Sequence, residues 1–266
     1  ASLKELKYIN EALLKKADQL GCEYLATGHY ARLKHENGRY YVTKGVDKDK
    51  DQSYVLWGLS QESLKRTLFP LGKYKKTEIR EIAKELGYHK LANKRESYEI
   101  CFIPDNNYRN FLKHEVEDID NKIGEGDLML SDGKVIGKHK GYPYYTIGQR
   151  KGLEIALGVP MYVNKINPAD NTVVIGPRDE LLKKQMKVIN TSFMKYPDIK
   201  NDMDVHVKIR YKDPGTMATI TKNDNFYMVD FKESVSAITP GQSAVFYEDD
   251  DVVGGGIIQE AVAGSK

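Results

Sequence analysis

Cysteine is scarce in this chain of 266 residues: there are two, Cys22 and Cys101, 79 positions apart. Two thiols so separated do not make the disulfide framework of a small secreted domain. No window approaches 18 consecutive apolar residues, so no membrane-spanning helix is expected. The first residues show no basic stretch leading into an apolar core, so no secretory signal is expected either. The six histidines, at 29, 35, 89, 114, 139 and 206, have no ligand spacing with either cysteine, and no metal site is expected. A strong charge imbalance is lacking too: 41 basic against 38 acidic residues leave a net charge of +3. An anion-binding surface must therefore come from local clustering. Gly254-Gly255-Gly256 lies inside a strand pattern rather than between a strand and a helix, which excludes it as a phosphate loop. These absences point to a cytoplasmic protein without a membrane partner.

What is present divides into three stretches. Leu6, Ile9, Leu13, Ala17 and Leu20 recur at helical spacing and predict an amphipathic helix closed by Gly21. Cys22–Thr27 reads as a strand, with Cys22 assigned to the core and Gly28-His29-Tyr30 at its carboxyl end. Ligands of α/β proteins bind beyond the carboxyl ends of strands, although a plain strand-ending turn fits as well. Arg39–Thr43 predicts a second strand, and the polar run Asp47–Ser53 opens a short helix at 54–57. After Pro70-Leu71-Gly72 a helix is predicted over 77–86, with Ile79, Ile82, Ala83 and Leu86 as its buried stripe. The first domain is thus expected to be α/β and to span residues 1–108.

Residues 109–183 are expected to form a small β-rich central domain, punctuated by turn signals at Ser131-Asp132-Gly133 and Asn167-Pro168. Within it, Tyr144–Gly152 places basic residues between glycines beside aromatics, which suits nucleic-acid backbone contact and an exposed hairpin nearly equally. Residues 184–266 are strongly β. Val205, Val207, Ile209 and Tyr211 alternate with His206, Lys208 and Arg210, and Ser243–Tyr247 faces Val252–Ile258 across Glu248–Asp251. Several short strands in this span predict a small closed barrel, a module that often binds RNA or DNA.

Ser97–Pro104 holds Cys101 between apolar residues, just after Lys94 and Arg95. Cationic neighbours favour a reactive thiolate and burial opposes it, and a lone cysteine without a recognisable partner reads, by itself, first as a small buried hydrophobe.

Seven stretches together resemble the tRNA 2-thiouridylases, the MnmA/TrmU family. They are Ala26–Arg32, Lys50–Tyr54, Pro70-Leu71-Gly72, Glu99–Ile103, Tyr144–Leu153, Lys208–Tyr211 and Thr239–Ala244, in the family's order and over nearly the whole chain. The resemblance implies a partial Rossmann-like ATP-pyrophosphatase domain, a β-rich central domain and a C-terminal β-barrel. It implies an enzyme that replaces the C2 oxygen of the wobble uridine of tRNA with sulfur. ATP, with magnesium as its counter-ion, would adenylate the oxygen. A cysteine persulfide, loaded by a cysteine desulfurase or a sulfur-carrier protein, would deliver the sulfur, and a second cysteine would complete the exchange through a disulfide.

On this resemblance Cys101 is the catalytic persulfide carrier, Gly28 contacts ATP, and His29, Lys50, Asp51, Gln52, Arg210, Tyr211 and Gln242 contact tRNA. The family's Ser-Gly-Gly-x-Asp-Ser phosphate motif and its first catalytic cysteine have no counterpart in these residues. The expectation is accordingly an N-terminally truncated fragment that binds tRNA but is inactive alone. The alternative from another class is a non-catalytic RNA-binding protein with an inert Cys101. A uridine methyltransferase has no support, because no glycine-rich cofactor loop follows a first strand.

Overall fold

The computed structural model describes residues 3–93, 108–153, 155, 157–199 and 202–262. The chain forms two compact units, one of residues 1–94, 184–234 and 239–266, the other of residues 95–183 and 235–238.

The first unit begins with helix α1 (Leu3–Gln19). Gly21, at φ +67°, lets the chain turn back so that the Cys22 N–H donates to the Ala17 carbonyl at 2.8 Å, a helix-ending motif. The predicted stripe is turned by about one residue. Leu14 and Ala17 are buried, whereas Leu13 and Leu20 are exposed, because adjacent leucines leave the register open. The strand expected over 22–27 contracts to β1 (Leu25–Ala26), and Cys22 is exposed rather than in the core. The hairpin β2 (Ala31–Glu36) and β3 (Arg39–Lys44) follows. After a 3-10 turn over Ser53–Leu56 come α2 (Gln61–Lys65) and β4 (Thr67–Leu68), which pairs parallel with β1.

Helix α3 (Lys76–Glu85) starts where Glu78 Oε2 accepts the Lys75 N–H at 2.6 Å and Asp47 Oδ2 accepts the Lys76 N–H at 2.8 Å. Its predicted buried stripe is not buried: no residue of α3 is, and Leu86 just beyond it is exposed. The short helix α4 (His89–Ala92) packs against α3.

In the second unit, α5 (Tyr108–Glu115) and α6 (Ile119–Ile123) precede β5 (Gly126–Leu130), β6 (Val135–His139), β7 (Tyr162–Asn167) and β8 (Thr172–Gly176). They form one sheet in the order β6-β5-β8-β7, over a core of Leu128, Leu153, Val163, Val173 and Ile175. Residues 147–148 and 151–152 form turns, and no strand is formed over 145–152, so this stretch is not a hairpin.

The remaining strands return to the first unit: β9 (Leu182–Phe193), β10 (Met203–Lys208), β11 (Thr216–Lys222), β12 (Tyr227–Ser236), β13 (Ser243–Glu248) and β14 (Asp251–Val262). Their order is β13-β10-β11-β12-β9-β14, and β13 also pairs with β14, so the six strands close into a barrel. Closure leaves no free edge among these six strands. The expected alternation holds through Ile209, with Val205, Val207 and Ile209 buried and His206 and Arg210 exposed, but fails at Tyr211, which is exposed because the strand ends at Lys208 and the chain turns away.

Strand β3 adds the hairpin to β14 through the pair Asp251↔Thr43. A shared core follows, in which Tyr41, Val42, Trp57 and Leu64 pack with Val245, Tyr247 and Val252. Trp57 lies on β14, where a Cβ at Gly255 would come within 2.8 Å of its ring. That contact, together with the Ala244 carbonyl oxygen at 2.7 Å, accounts for glycine at this position without phosphate binding.

Candidate nucleic-acid and nucleotide site

Three segments far apart in sequence meet on the first unit. The first carries Gly28 and His29 at the carboxyl end of β1. His29 is half-buried, its Nδ1 lies 3.0 Å from Thr27 Oγ1, and its ring meets Phe69 edge-on at 6.3 Å. Burial lowers its pKa, which favours the neutral imidazole at neutral pH. Gly28 is exposed and has no left-handed backbone. A Cβ there would meet only Leu71 Cδ1, at an ordinary 3.8 Å, so packing does not demand glycine and the space it leaves is open to a ligand. Beside it, the Thr27 N–H donates to the carbonyl of Leu68 at 3.0 Å. Leu68 lines a cleft of about 630 Å³ together with Arg32, Lys34, Phe69, Lys73 and Tyr74.

The second segment is the loop of Lys50, Asp51 and Gln52. Gln52 clamps it to the first: its Oε1 accepts the Tyr30 N–H at 3.0 Å, and its own N–H donates to the Tyr30 carbonyl at 2.9 Å. Asp51 turns inward. Its Oδ1 accepts the N–H groups of Gly45 (3.0 Å) and Ser53 (3.2 Å), and its Oδ2 accepts the Ser53 hydroxyl at 2.8 Å. This makes Asp51 a loop anchor, whatever else it touches.

The third segment belongs to the barrel. The Ser53 and Tyr247 hydroxyls are 3.1 Å apart, and the Tyr54 hydroxyl donates to the Ser243 carbonyl at 2.8 Å. These bonds tie the Lys50–Gln52 loop to β13. The Tyr54 ring meets Tyr211 edge-on at 6.3 Å, and Tyr211 is exposed. Gln242, also exposed, precedes β13, and its carbonyl accepts the Ile258 N–H at 2.8 Å.

Basic groups gather over this junction. The Lys44 and Lys208 ammoniums lie 4.9 Å and 5.9 Å from the Tyr247 ring centroid. Tyr247 itself is buried, and such cation–ring contacts range from about 0.5–1 kcal/mol at exposed sites to about 2 kcal/mol when desolvated. Burial lowers the Lys208 pKa, Asp51 and Asp213 act to raise it, and Lys44 adds repulsion. Burial and Asp51 raise Tyr211, against the opposing charge of Lys50. The loops of residues 50–51 and 210–213 therefore share one electrostatic neighbourhood. The result is a group of basic side chains, Lys44, Lys50, Lys208 and Arg210, near one exposed aromatic ring, Tyr211, suited to phosphate contact and base stacking.

Thus His29, Lys50, Asp51, Gln52, Arg210, Tyr211 and Gln242 all lie in one compact unit, and hydrogen bonds link their segments. Cys101 lies outside the described residues. Sequence reading missed Asp213, Lys44 and Tyr247. Asp213-Pro214-Gly215 carries a turn signature that could have flagged the first, while the other two depend on strand pairing across about 200 positions. No group of three or more metal-ligating side chains occurs among the described residues, and no helix among them is long and apolar enough to cross a membrane.

Comparison with known proteins covers almost all of this surface. Three family models match in order: a tRNA methyl transferase HUP domain over residues 4–105, a tRNA methyl transferase PRC-barrel domain over 109–177, and an aminomethyltransferase beta-barrel domain over 183–258. The chain is 54% identical over 250 residues to the tRNA-specific 2-thiouridylase MnmA of Amoebophilus asiaticus. It is 49% identical over 253 residues to the protein of the same name from Salinibacter ruber. In both comparisons 94% of this chain is matched, and it spans 66% of the relative's length. The corresponding protein of Cytophaga hutchinsonii is 49% identical over 252 residues, again 94% of this chain and there 68% of the relative.

Proposed function

The chain belongs to the MnmA family of tRNA-specific 2-thiouridylases, and from that premise we propose that it carries the tRNA-holding and sulfur-delivering parts of a tRNA-uridine 2-sulfurtransferase. The supporting observation is that Gln52 bonds the Lys50–Tyr54 segment to Tyr30, Ser53 and Tyr54 bond it to β13, and β13 pairs with β10 while the Tyr54 ring meets Tyr211, so that the Gly28–Tyr30, Lys50–Tyr54 and Lys208–Tyr211 segments are held together.

In this reading tRNA lies across the rim. Lys50 and Arg210 hold phosphates, Tyr211 stacks an unpaired base, and His29, Gln52 and Gln242 line the path toward Gly28. His29, kept neutral by burial, offers a hydrogen bond without adding charge. Asp51 keeps Lys50 aimed outward. ATP would sit against Gly28, with magnesium as its counter-ion. When bound it supplies activation of the uridine C2 oxygen as a leaving group. Cys101 carries the persulfide, and a cysteine desulfurase or sulfur-carrier protein in the cytoplasm loads it.

The test separates this reading from that of a non-catalytic RNA binder. Cys22 is exposed and would itself react. A Cys22→Ser background is therefore incubated with a cysteine desulfurase and cysteine, and the added sulfur is read by mass spectrometry. Loading that disappears in Cys22→Ser/Cys101→Ser supports the sulfurtransferase. A Cys101 that accepts no sulfur and resists alkylation in the folded protein refutes it and leaves an RNA-binding module.

A further inference from the structure

The RNA-facing loops carry two aspartates, an unfavourable choice for a surface that meets phosphate unless the charges have other work. Asp213 is buried, at 7% exposure. Its Oδ2 accepts the Ile209 N–H at 3.0 Å, its Oδ1 accepts the Gly215 N–H at 3.1 Å, and its own N–H donates to the Arg210 carbonyl at 3.1 Å. These three bonds close the loop that presents Arg210 and Tyr211. Gly215, at φ +93°, takes the left-handed backbone that brings its N–H onto the carboxylate. Asp51 does the same for the other loop through Gly45 and Ser53.

We infer that Asp213 and Asp51 are a matched pair of positioning residues, whose inward-turned carboxylates present Arg210–Tyr211 and Lys50 to RNA as one surface. The inference rests on the RNA-binding reading and adds how that surface is kept in register. An ionised carboxylate has two oxygens that accept and nothing that donates, which matches two converging backbone N–H groups. Asparagine keeps the shape but replaces one acceptor with an NH₂ group, setting donor against donor. Asp213→Asn therefore leaves one loop N–H unpartnered and frees Arg210 and Tyr211 from their set position. A buried cap that served stability alone would not act through Arg210.

The experiment is a double-mutant cycle on tRNA affinity, well below each variant's melting temperature. Arg210→Ala is expected to weaken binding about tenfold. Asp213→Asn is expected to weaken it by a similar factor, and the double variant to stay within about twofold of either single one. Val229→Ala in the barrel core lowers stability by another route and should leave affinity within about twofold of the parent. Losses that multiply in the double variant would overturn the inference, as would a parental affinity for Asp213→Asn. So would Val229→Ala weakening binding as much as Asp213→Asn does. A parental affinity for Arg210→Ala overturns the RNA-binding reading itself.

Discussion

The barrel and the α3–α4 segment teach opposite lessons about amphipathic pattern. In β10 and the residue that follows it the alternation of apolar and polar residues coincides with burial: Val205, Val207 and Ile209 are at 2% exposure or less. In α3 and the residues that follow, an equally clear helical stripe ends in exposed side chains, with Leu86 at 67% and Leu91 at 65%. The difference lies in what each element packs against. A strand in a closed barrel faces other strands across the interior, so its inner face is covered by construction. A helix stripe records a face suited to burial and does not itself supply the covering surface. The small β1–β4 pair shows the same contrast: two residues from each strand, against the six closed strands of the barrel.

The largest expected break in this comparison is at Trp57. Its ring is buried at 1% exposure against Gly255, in the core shared by the hairpin and the barrel. Trp57→Ala should cost about 3–5 kcal/mol, the range for truncating a buried aromatic, read by chemical denaturation. An intermediate case is the ionic knot joining the β13–β14 turn to the hairpin. Lys195 Nζ lies 2.5 Å from Glu248 and 2.8 Å from Asp251, which also meets Lys34 at 2.9 Å.

For Asp251 burial acts to raise the pKa, but hydrogen bonds from Lys195, Lys34 and Thr43 outweigh it, so the net shift is downward. Glu248 is lowered chiefly by its bond from Lys195. Groups whose pKa is lowered on folding bind protons less readily when folded. Their stabilisation is complete above the ordinary carboxylate range near about pH 4 and is lost as pH falls through the lowered values. Thermal melts across this acid range should show the loss, and Lys195→Met should make it shallower. The smallest effect belongs to the exposed stripe. Leu86→Lys should change stability by no more than about 0.5 kcal/mol, as for a surface position. A loss of several kcal/mol there would show that the stripe is covered in solution and would erase the contrast.

Much of the barrel was legible because a period of two, once in register, assigns every side chain to a face. The hairpin across Glu248–Asp251 was legible because its turn residues are polar and its strands apolar. Attachment of β2–β3 to the barrel was not, since the pair Asp251↔Thr43 joins segments about 200 positions apart and no local pattern encodes it. In α1, Leu13 beside Leu14 left the buried face ambiguous by one residue. At the site, Lys50–Gln52 and Arg210–Tyr211 were found through their resemblance to a known family, not through charge pattern alone. Asp51 was read there as an RNA contact, and its inward bonds appear only once the loop conformation is known. Asp213 went unread for the same reason: two N–H groups converge on it only after the chain turns at Gly215.

The central claim is that Lys50 and Arg210, 160 positions apart, act on RNA as one surface. The most direct measurement is the slope of log K against log salt for tRNA binding by Lys50→Ala/Arg210→Ala and by Lys84→Ala/Lys232→Ala, which removes the same charge elsewhere. If the two act together, the first pair reduces the slope by about 2, at roughly 0.9 per phosphate contact, and the second leaves it unchanged. Equal slopes for the two pairs would contradict the claim.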